Sequence, residues 1–309
     1  MTAAAPVTSR PGSRPGLDAV AVATMVLLTF SWGLNQVAIK VSNTGYNPML
    51  IVLVRSAIGG VLVYLWCRRR GIPLMQRDGT LLPGIAAGAL FGAEFVLMYV
   101  GLDYTSAARA TLMINTMPFF VLVGGHFLLG ERITLAKFLG LVLAFAGVVL
   151  IFSDDLSLPG PLAIWGDLLC LGAGALWAVT VLVIKGTKLA QASAEKTLLY
   201  QLLVSVLFVA PLVPLSGPLL REATWIATAS VAYQAVFVVA VTYVLWFWLM
   251  RSYPASSLSS FTFLTPAFGV LLSGLLLNEP LSLRIFAALA LIAAGLYLVN
   301  RPGRAAPPG

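Results

Sequence analysis

The sequence predicts an all-α, polytopic membrane protein with ten transmembrane helices arranged as two inverted five-helix repeats. Mean hydropathy is +0.96, and charged residues make up only 10% of the 309 residues. This leaves too little polar surface for a water-soluble protein. Ten apolar segments approach the ~20 residues that cross a hydrocarbon core. Because their apolarity is continuous rather than alternating, the sequence favours helices over a closed barrel.

The predicted helices follow one another through short connections. We expect them at 19–40, 47–67, 80–101, 106–128 and 135–152, and then at 161–185, 196–214, 223–249, 255–277 and 284–300. The first repeat is assigned to 17–152, an external connection to 153–160 and the second repeat to 161–300. Segments 1–16 and 301–309 are rich in Pro and Gly without an apolar run, which predicts disordered cytoplasmic tails.

Residues of the first repeat recur in the second at nearly constant separation. The recurring pairs are Trp32 and Trp177, Ile39 and Ile184, Lys40 and Lys185, Pro118 and Pro266, Glu131 and Glu279, and Gly147 and Gly295. An odd number of helices per repeat requires the second repeat to cross the bilayer in the opposite direction. Inverted repeats are typical of secondary transporters, in which the substrate site lies near the midplane between the repeats.

The net charge of +8 indicates membrane orientation rather than nucleic-acid binding. With the N-terminus inside, the cytoplasmic segments hold Arg10, Arg14, Arg68, Arg69, Arg70, Arg77, Arg132, Lys137, Lys185, Lys188, Lys196, Arg251, Arg301 and Arg304. The external ends then hold Lys40, Arg109, Arg221 and Arg284. This bias predicts an inner-membrane protein with both termini in the cytoplasm. Trp66, Trp246 and Trp248 lie near helix ends and are expected in interfacial belts.

Two stretches that follow the fourth and ninth predicted helices share a pattern. They read Leu129-Gly130-Glu131-Arg132-Ile133-Thr134 and Leu277-Asn278-Glu279-Pro280-Leu281-Ser282. In each, a Glu and a short polar turn precede a helix rich in Leu, Ala and Gly. Together with Trp32-Gly33, the pattern resembles the EamA-type transporters of the drug/metabolite transporter superfamily over roughly residues 17–300. Within that superfamily the chain resembles the bacterial YddG-type exporters of aromatic and other neutral amino acids.

The resemblance implies a ten-helix bundle around a central cavity lined by the first, third, fourth, sixth, eighth and ninth helices. It implies that Glu131 and Glu279 act as caps or hinges at helix ends rather than in substrate contact. It also implies a secondary transporter that exports aromatic or other neutral amino acids, or similar small amphiphilic metabolites, by alternating access.

Polar residues within the apolar segments are candidates for the substrate site, because they are costly in lipid. In the first helix, Trp32, Asn35 and Gln36 could stack a side chain and hydrogen-bond an amino-acid backbone; interhelical hydrogen bonding is the alternative for both amides. The further candidates are Trp177 in the sixth helix, Gln234 and Tyr243 in the eighth, and Ser260 and Phe263 in the ninth.

Glu94 is a carboxylate deep within the third apolar segment. Phe91, Phe95 and Tyr99 lie beside it on the predicted helix and are, with Glu94, candidates for the substrate site. A lone carboxylate in this setting could bind substrate or take up a proton during transport. Alternatively, it pairs with Arg55 of the second helix, which is predicted at the same depth.

The fourth and ninth helices are expected to be interrupted at equivalent points. Asn115 and Pro118 lie mid-membrane in one, and Thr265 and Pro266 in the other. Proline removes a backbone donor and kinks a helix. Paired interruptions of this kind indicate a transporter site and its hinges, so Pro118 and Pro266 are predicted hinges and Asn115 a substrate-site residue.

Other functions find less support in the sequence. There is no P-loop, and one histidine without acidic partners cannot form a metalloprotease site, so no enzyme activity, metal or cofactor is expected. The expected partners are the lipid bilayer and a small neutral substrate, with the chain acting as a monomer and not binding nucleic acid. A carrier of sugar phosphates, nucleotide sugars or drugs is the closest alternative, although Arg55 and Arg109 alone could serve an anion. A channel is less favoured, because no repeated charge ring appears.

Overall fold

The computed structural model describes residues 17–102, 104–158, 160–277 and 283–301, with the exception of the side chains of Tyr99 and Leu277. Each apolar segment predicted from the sequence is helical. The helices of the first repeat are α1 Ala19–Gly45, α2 Pro48–Arg70, α3 Leu81–Leu102, α4 Ala107–Ile114 continued by Met117–Leu129, and α5 Leu135–Ile151. The second repeat begins with α6 Ala163–Gly186 and α7 Ala194–Val209, which the 3₁₀ segment Ala210–Leu215 continues. It ends with α8 Trp225–Tyr233, continued by the π segment Gln234–Thr242 and by Tyr243–Ser252, with α9 Ala255–Ser260, continued by the 3₁₀ segment Phe261–Phe263 and by Leu264–Leu277, and with α10 Arg284–Asn300.

Eight of these helices are long and apolar enough to cross a membrane. The other two, α5 and α10, are apolar helices of 17 residues each. At ~1.5 Å per residue they are about 26 Å long, close to the hydrocarbon thickness. The predicted terminal segments 1–16 and 302–309, and the second Glu motif around Glu279, lie outside the described residues.

Polar contacts gather one set of helix ends at a single side of the bundle, which we call the basic side. Glu131 after α4 contacts the start of α9, and Lys137 of α5 donates to Ser256 of α9. Asp78, in the α2–α3 connection, pairs with Lys196 at the start of α7, 2.8 Å apart. The hydrogen bond from Lys196 holds the pKa of the Asp78 carboxyl below its ordinary value.

The remaining helix ends meet at the opposite side. Asn47, which caps α2, donates to the Ser216 carbonyl after α7, and Tyr46 forms an isolated bridge with Leu220. Arg109 of α4 pairs with Asp167 of α6. The chain therefore alternates between the two sides, so that α1 begins at the basic side and α6 at the opposite side.

Helix packing interleaves the two repeats instead of separating them. Helix α1 packs against α8 and α9, and its counterpart α6 packs against α3 and α4. Helices α2 and α7 contact each other, as do α5 and α10. These pairings are unchanged when the two repeats are exchanged, as expected of two copies of one five-helix fold.

Helices α5 and α10 approach closely through small residues. A Cβ atom built on Gly295 would lie 2.5 Å from the Gly140 carbonyl oxygen and 2.6 Å from the Ala144 nitrogen. Since both are backbone atoms, they cannot rotate away as a side chain would. The glycines are therefore required for this close packing.

Replacing Gly295 with leucine should lower the free energy of unfolding by about 1–3 kcal/mol, because the added side chain forces the two backbones apart. The measurement is the thermal unfolding midpoint in detergent. The matched control is Ala294→Leu, since Ala294 is the exposed neighbour on the same helix. Equal midpoints for the two variants would contradict the packing assigned to Gly295.

The helices that carry the predicted hinges are irregular, but each irregularity lies one turn before its proline. Helix α4 is interrupted at Asn115 and Thr116, ahead of Pro118. Helix α9 narrows to a 3₁₀ turn at Phe261–Phe263, ahead of Pro266. Each irregularity precedes its proline because proline has no N–H to donate to the carbonyl four residues earlier and its ring clashes with that carbonyl.

Candidate functional site

Aromatic side chains from three helices meet in the middle of the bundle. We call this group the central aromatic cluster; it comprises Trp32 of α1, Phe91 and Phe95 of α3, and Tyr243 and Trp246 of α8. The ring centroids of Trp32 lie 6.3 Å from Tyr243 and 5.6 Å from Trp246, both edge to face. Tyr243 lies 6.4 Å from Phe91, which lies 4.9 Å from Phe95. The rings thus form a continuous wall from α1 to α3.

A hydrogen bond fixes the orientation of the indole. Trp32 Nε1 donates to Thr242 Oγ1 at 2.9 Å. Thr242 is the last residue of the π segment of α8, and its hydroxyl also bonds the Val238 carbonyl. Short π segments commonly occur at functional sites. Here the segment brings Thr242 and Tyr243 together onto the face that meets Trp32.

Two opposite charges adjoin the cluster. Arg55 of α2 is 3% exposed and Glu94 of α3 is 9% exposed. The Arg55 guanidinium lies over the Phe95 ring, 4.7 Å from its centroid. In the described part of the chain, neither side chain makes an ion pair or a hydrogen bond, and Arg55 Nε and Glu94 Oε2 are buried without a partner. The direct ion pair considered from the sequence is therefore not formed in this structure.

The structure brings six of the predicted residues together, namely Trp32, Phe91, Phe95, Tyr243, Glu94 and Arg55. Asn35 is one turn from Trp32 and buried, and its Oδ1 atom has no partner among the described residues. Trp177 is half-buried and packs against the main apolar core. Gln36 is exposed and runs along Gly269 of α9. The side chain of Tyr99 lies outside the described residues.

Other predicted residues form structural contacts elsewhere. Gln234 is fully buried and donates to Ser42 Oγ of α1 at 3.0 Å, an interhelical hydrogen bond. Asn115 donates to the Thr111 carbonyl of its own helix. Ser260 donates to the Ser257 carbonyl within the tightly packed start of α9.

Phe263 belongs to a second aromatic group on the other side of α9. Its ring centroid lies 6.3 Å from Phe119 of α4 and 6.2 Å from Phe145 of α5. Phe263 is fully buried, so these contacts join α9 to α4 and α5. Within the described structure it has no ring contact with the central aromatic cluster.

The assignment of Trp246 to an interfacial belt was wrong. Trp246 is 4% exposed and contacts Trp32, whereas Trp248 is 45% exposed and Trp66 is 49% exposed with Arg70 over its ring, as belt residues are. The missed signal was the helical spacing, because residues three and four apart share a face. Trp246 is three residues after Tyr243 and four after Thr242.

Burial along α1 shows which side of the site is closed. Met25, Leu28 and Trp32 share one helix face and are buried, whereas Gln36 and Lys40 continue that face toward the opposite side and are exposed. The start of α9 is likewise buried throughout Ala255–Ser260. The bundle is therefore closed on the basic side of Trp32.

A network of charged groups reinforces this closure. Glu131 Oε1 accepts from the Ala255 nitrogen at 2.6 Å, and Oε2 accepts from the Ser256 nitrogen at 3.2 Å and from its hydroxyl. Glu131 thus caps the start of α9, in keeping with the cap role that the family resemblance implied. Lys185 of α6 donates to the Met250 and Tyr253 carbonyls at the end of α8. We call these groups the basic-side clasp.

Two recesses on the surface lie away from the central aromatic cluster. One, of about 460 Å³, is lined at the opposite side by Ser106, Phe152 and Asp154 among others. The other, of about 290 Å³, is an apolar groove between α1 and α8 that includes Val37 and Tyr233. Among the described residues, no group of three or more His, Cys, Asp or Glu side chains could hold a metal ion.

A family model supplies the assignment that the geometry alone does not. The model of the EamA-like transporter family matches residues 19–153 and again 164–301. The chain belongs to the EamA-like transporter family. It is accordingly a multi-pass membrane transporter of the drug/metabolite transporter superfamily, with two copies of the family unit.

Individual relatives at low sequence identity are also named transporters or efflux pumps. An uncharacterized transporter of Bacillus subtilis, YvbV, is 29% identical over 286 residues, which cover 91% of this chain and 92% of the relative. A probable amino-acid metabolite efflux pump of Salmonella typhimurium is 28% identical over 287 residues, 88% of this chain and 92% of the relative. A protein of known crystal structure shares the fold with a TM-score of 0.78 at 20% identity, covering 90% of this chain and 96% of that one.

Proposed function

We propose that this EamA-family transporter exports amino acids with aromatic or other neutral side chains, or similar small amphiphilic metabolites, by alternating access. The observation that carries the proposal is the central aromatic cluster, a wall of rings from α1, α3 and α8 next to two buried charges. A site for amphiphilic molecules combines apolar surface with a few oriented polar groups. Relatives named amino-acid metabolite efflux pumps in Salmonella typhimurium and Escherichia coli support the same substrate class.

The transport cycle that we propose starts from the conformation described. The basic side is closed by the clasp and the buried start of α9, while the α1 face beyond Trp32 is exposed toward the opposite side. Opening of the basic side would admit substrate, and the irregular turns before Pro118 and Pro266 would absorb the movement. Export then requires the basic side to be cytoplasmic, in the inner membrane with both termini inside, as the charge bias predicts.

The proposal predicts that purified protein in proteoliposomes transports radiolabelled phenylalanine and leucine, and that Trp32→Ala raises the apparent KM for phenylalanine roughly tenfold. This loss of apparent affinity is expected because the indole contacts two rings and donates to Thr242. Trp32→Phe keeps a ring but not the donor, so its apparent KM should lie between those of the wild type and Trp32→Ala. Trp165→Ala is the matched control, since Trp165 is 64% exposed on α6.

The same assay separates the alternatives. Transport of glucose 6-phosphate or a nucleotide sugar in place of amino acids would replace the proposed substrate class. Flux that does not saturate with substrate concentration would favour a channel. An imposed pH gradient tests whether transport is coupled to protons.

A further inference from the structure

Arg55 and Glu94 are an unusual feature of this core. A charge buried in an apolar interior is costly unless an opposite charge or hydrogen bonds compensate it. Both side chains are more than nine-tenths buried, and in the described part of the chain each keeps a buried polar atom without a partner. Within the described structure, the two opposite charges do not form an ion pair with each other.

The Phe95 ring is next to Glu94 in the sequence and in contact with Arg55. Phe95 follows Glu94 directly on α3, and the Arg55 guanidinium stacks over that ring instead of reaching the carboxylate. The arrangement therefore leaves one cation and one anion adjacent to the same apolar surface.

Further polar atoms without partners lie on the helices that surround Arg55. Ser56 Oγ on α2, and Gln201 Oε1 and Ser205 Oγ on α7, are buried without hydrogen bonds among the described residues. Ser205 lies one turn before Val209, which packs in the same apolar cluster as Phe91 and Phe95. Buried polar groups are almost always paired, so a set of unpaired ones indicates that a ligand or ordered water completes them.

We propose that Arg55 binds the carboxylate and Glu94 the ammonium group of a zwitterionic substrate, whose side chain packs against Phe91 and Tyr243. This deepens the proposed function, on which it rests, by assigning the groups that select a free amino acid. The net charge of the two groups is zero, which matches a zwitterion. A phosphate would be repelled by Glu94 and a simple amine by Arg55, so the pair also selects against anions and against cations.

A series of three related compounds tests the assignment. L-phenylalanine carries both charged groups, 2-phenylethylamine lacks the carboxylate, and 3-phenylpropionate lacks the ammonium. We expect wild-type proteoliposomes to take up phenylalanine and to bind the other two more weakly in competition. Arg55→Met should weaken phenylalanine binding roughly 10- to 100-fold, the value of a charge-assisted hydrogen bond, whereas 2-phenylethylamine, no longer repelled by the guanidinium, should bind at least as well as to the wild type.

Glu94→Gln should show the complementary pattern, with weaker binding of phenylalanine and with 3-phenylpropionate, no longer repelled by the carboxylate, bound at least as well as by the wild type. The matched controls are Arg69→Met and Glu222→Gln, at exposed positions on the two sides of the bundle. The double variant Arg55→Met/Glu94→Gln separates this role from a structural pair. It should bind phenylalanine no better than either single variant, whereas recovery of binding in the double variant would overturn the proposal.

Thermal unfolding in detergent shows whether each variant is folded. If both single variants weaken all three compounds equally, the inference is wrong and the two groups are structural. If Glu94→Gln removes stimulation by a pH gradient but keeps the order of the compounds, Glu94 is a coupling group and its role as ammonium partner is wrong. If the wild type does not transport phenylalanine, the proposed function itself fails, whatever the variants do.

Discussion

Replacing Asp167 with leucine should lower the free energy of unfolding by about 2–4 kcal/mol, because it leaves the largely buried guanidinium of Arg109 without its counter-ion. Asp167 Oδ1 accepts from Thr105 Oγ1 at 2.7 Å and from Arg109 Nε at 3.3 Å, and Oδ2 accepts from Arg109 as well. Arg109 in turn donates to the Leu156 carbonyl at 2.7 Å. The cluster thus joins the α3–α4 turn, α6 and the connection between the repeats.

The matched control is Asp154→Leu. Asp154 pairs with Arg284 at 2.6 Å, but the two side chains are 75% and 51% exposed. Exposed ion pairs contribute about 0–1 kcal/mol, so this variant should unfold close to the wild type. The measurement is the thermal midpoint of each variant in the same detergent. The double variant Arg109→Leu/Asp167→Leu should recover part of the thermal midpoint that Asp167→Leu loses, because it leaves no buried charge unpaired. A double variant as unstable as Asp167→Leu would show that the ion pair does not stabilise the fold.

The helices could be predicted from the sequence because lipid removes the alternatives to them. Backbone groups in hydrocarbon must be hydrogen-bonded within the segment, so a long apolar run has few other structures available. The repeat of Trp32 at Trp177 and of Pro118 at Pro266 likewise indicated two copies of one fold. The first and last residues of most helices were therefore predicted to within a few residues.

Partners across the bundle were not predictable in the same way. Periodicity shows which residues share a helix face, but it does not show which helix that face meets. The sequence therefore did not show that Phe263 packs on Phe119 and Phe145, and it placed Trp246 at the interface although Trp246 contacts Trp32. These contacts join helices that are far apart in sequence. Equal depth likewise did not decide between the two alternatives for Glu94, because it does not show that the Arg55 guanidinium lies over the Phe95 ring.

Replacing Glu131 with alanine should open the basic side of the transporter. Glu131 caps the start of α9 through two backbone nitrogens and the Ser256 hydroxyl, and a charged acceptor at a helix N-terminus is favourable both as a cap and through the helix dipole. Without it, Lys137 still reaches Ser256, but the first nitrogens of α9 lose their acceptor. The closed conformation loses these bonds and the open one does not, so the equilibrium shifts toward opening.

Cysteine labelling measures that shift. Ser257 lies at the buried start of α9, and a Ser257→Cys probe can be placed in a background that lacks the two native thiols, Cys67 and Cys170, which are free. Glu131→Ala should raise the rate of modification by a water-soluble maleimide at least roughly tenfold, the value of one charge-assisted hydrogen bond. Glu131→Gln, which keeps one acceptor oxygen, should lie between it and the unaltered clasp. Glu222→Ala, an exposed carboxylate at the opposite side, is the matched control.

The result also shows whether Glu131 or the other contacts of this side keep the basic side closed. The end of α8 is tied to this side independently, because Lys185 donates to the Met250 carbonyl and Tyr253 donates to Asp18 Oδ2 at 2.8 Å. If Glu131→Ala leaves the labelling rate unchanged, these two ties suffice to hold the basic side shut and Glu131 is only a local cap of α9. If labelling rises as expected and Lys185→Met increases the rate further, the hydrogen bonds of Glu131 and of Lys185 both oppose the same opening. Helices α8 and α9 then move together relative to α4 and α6.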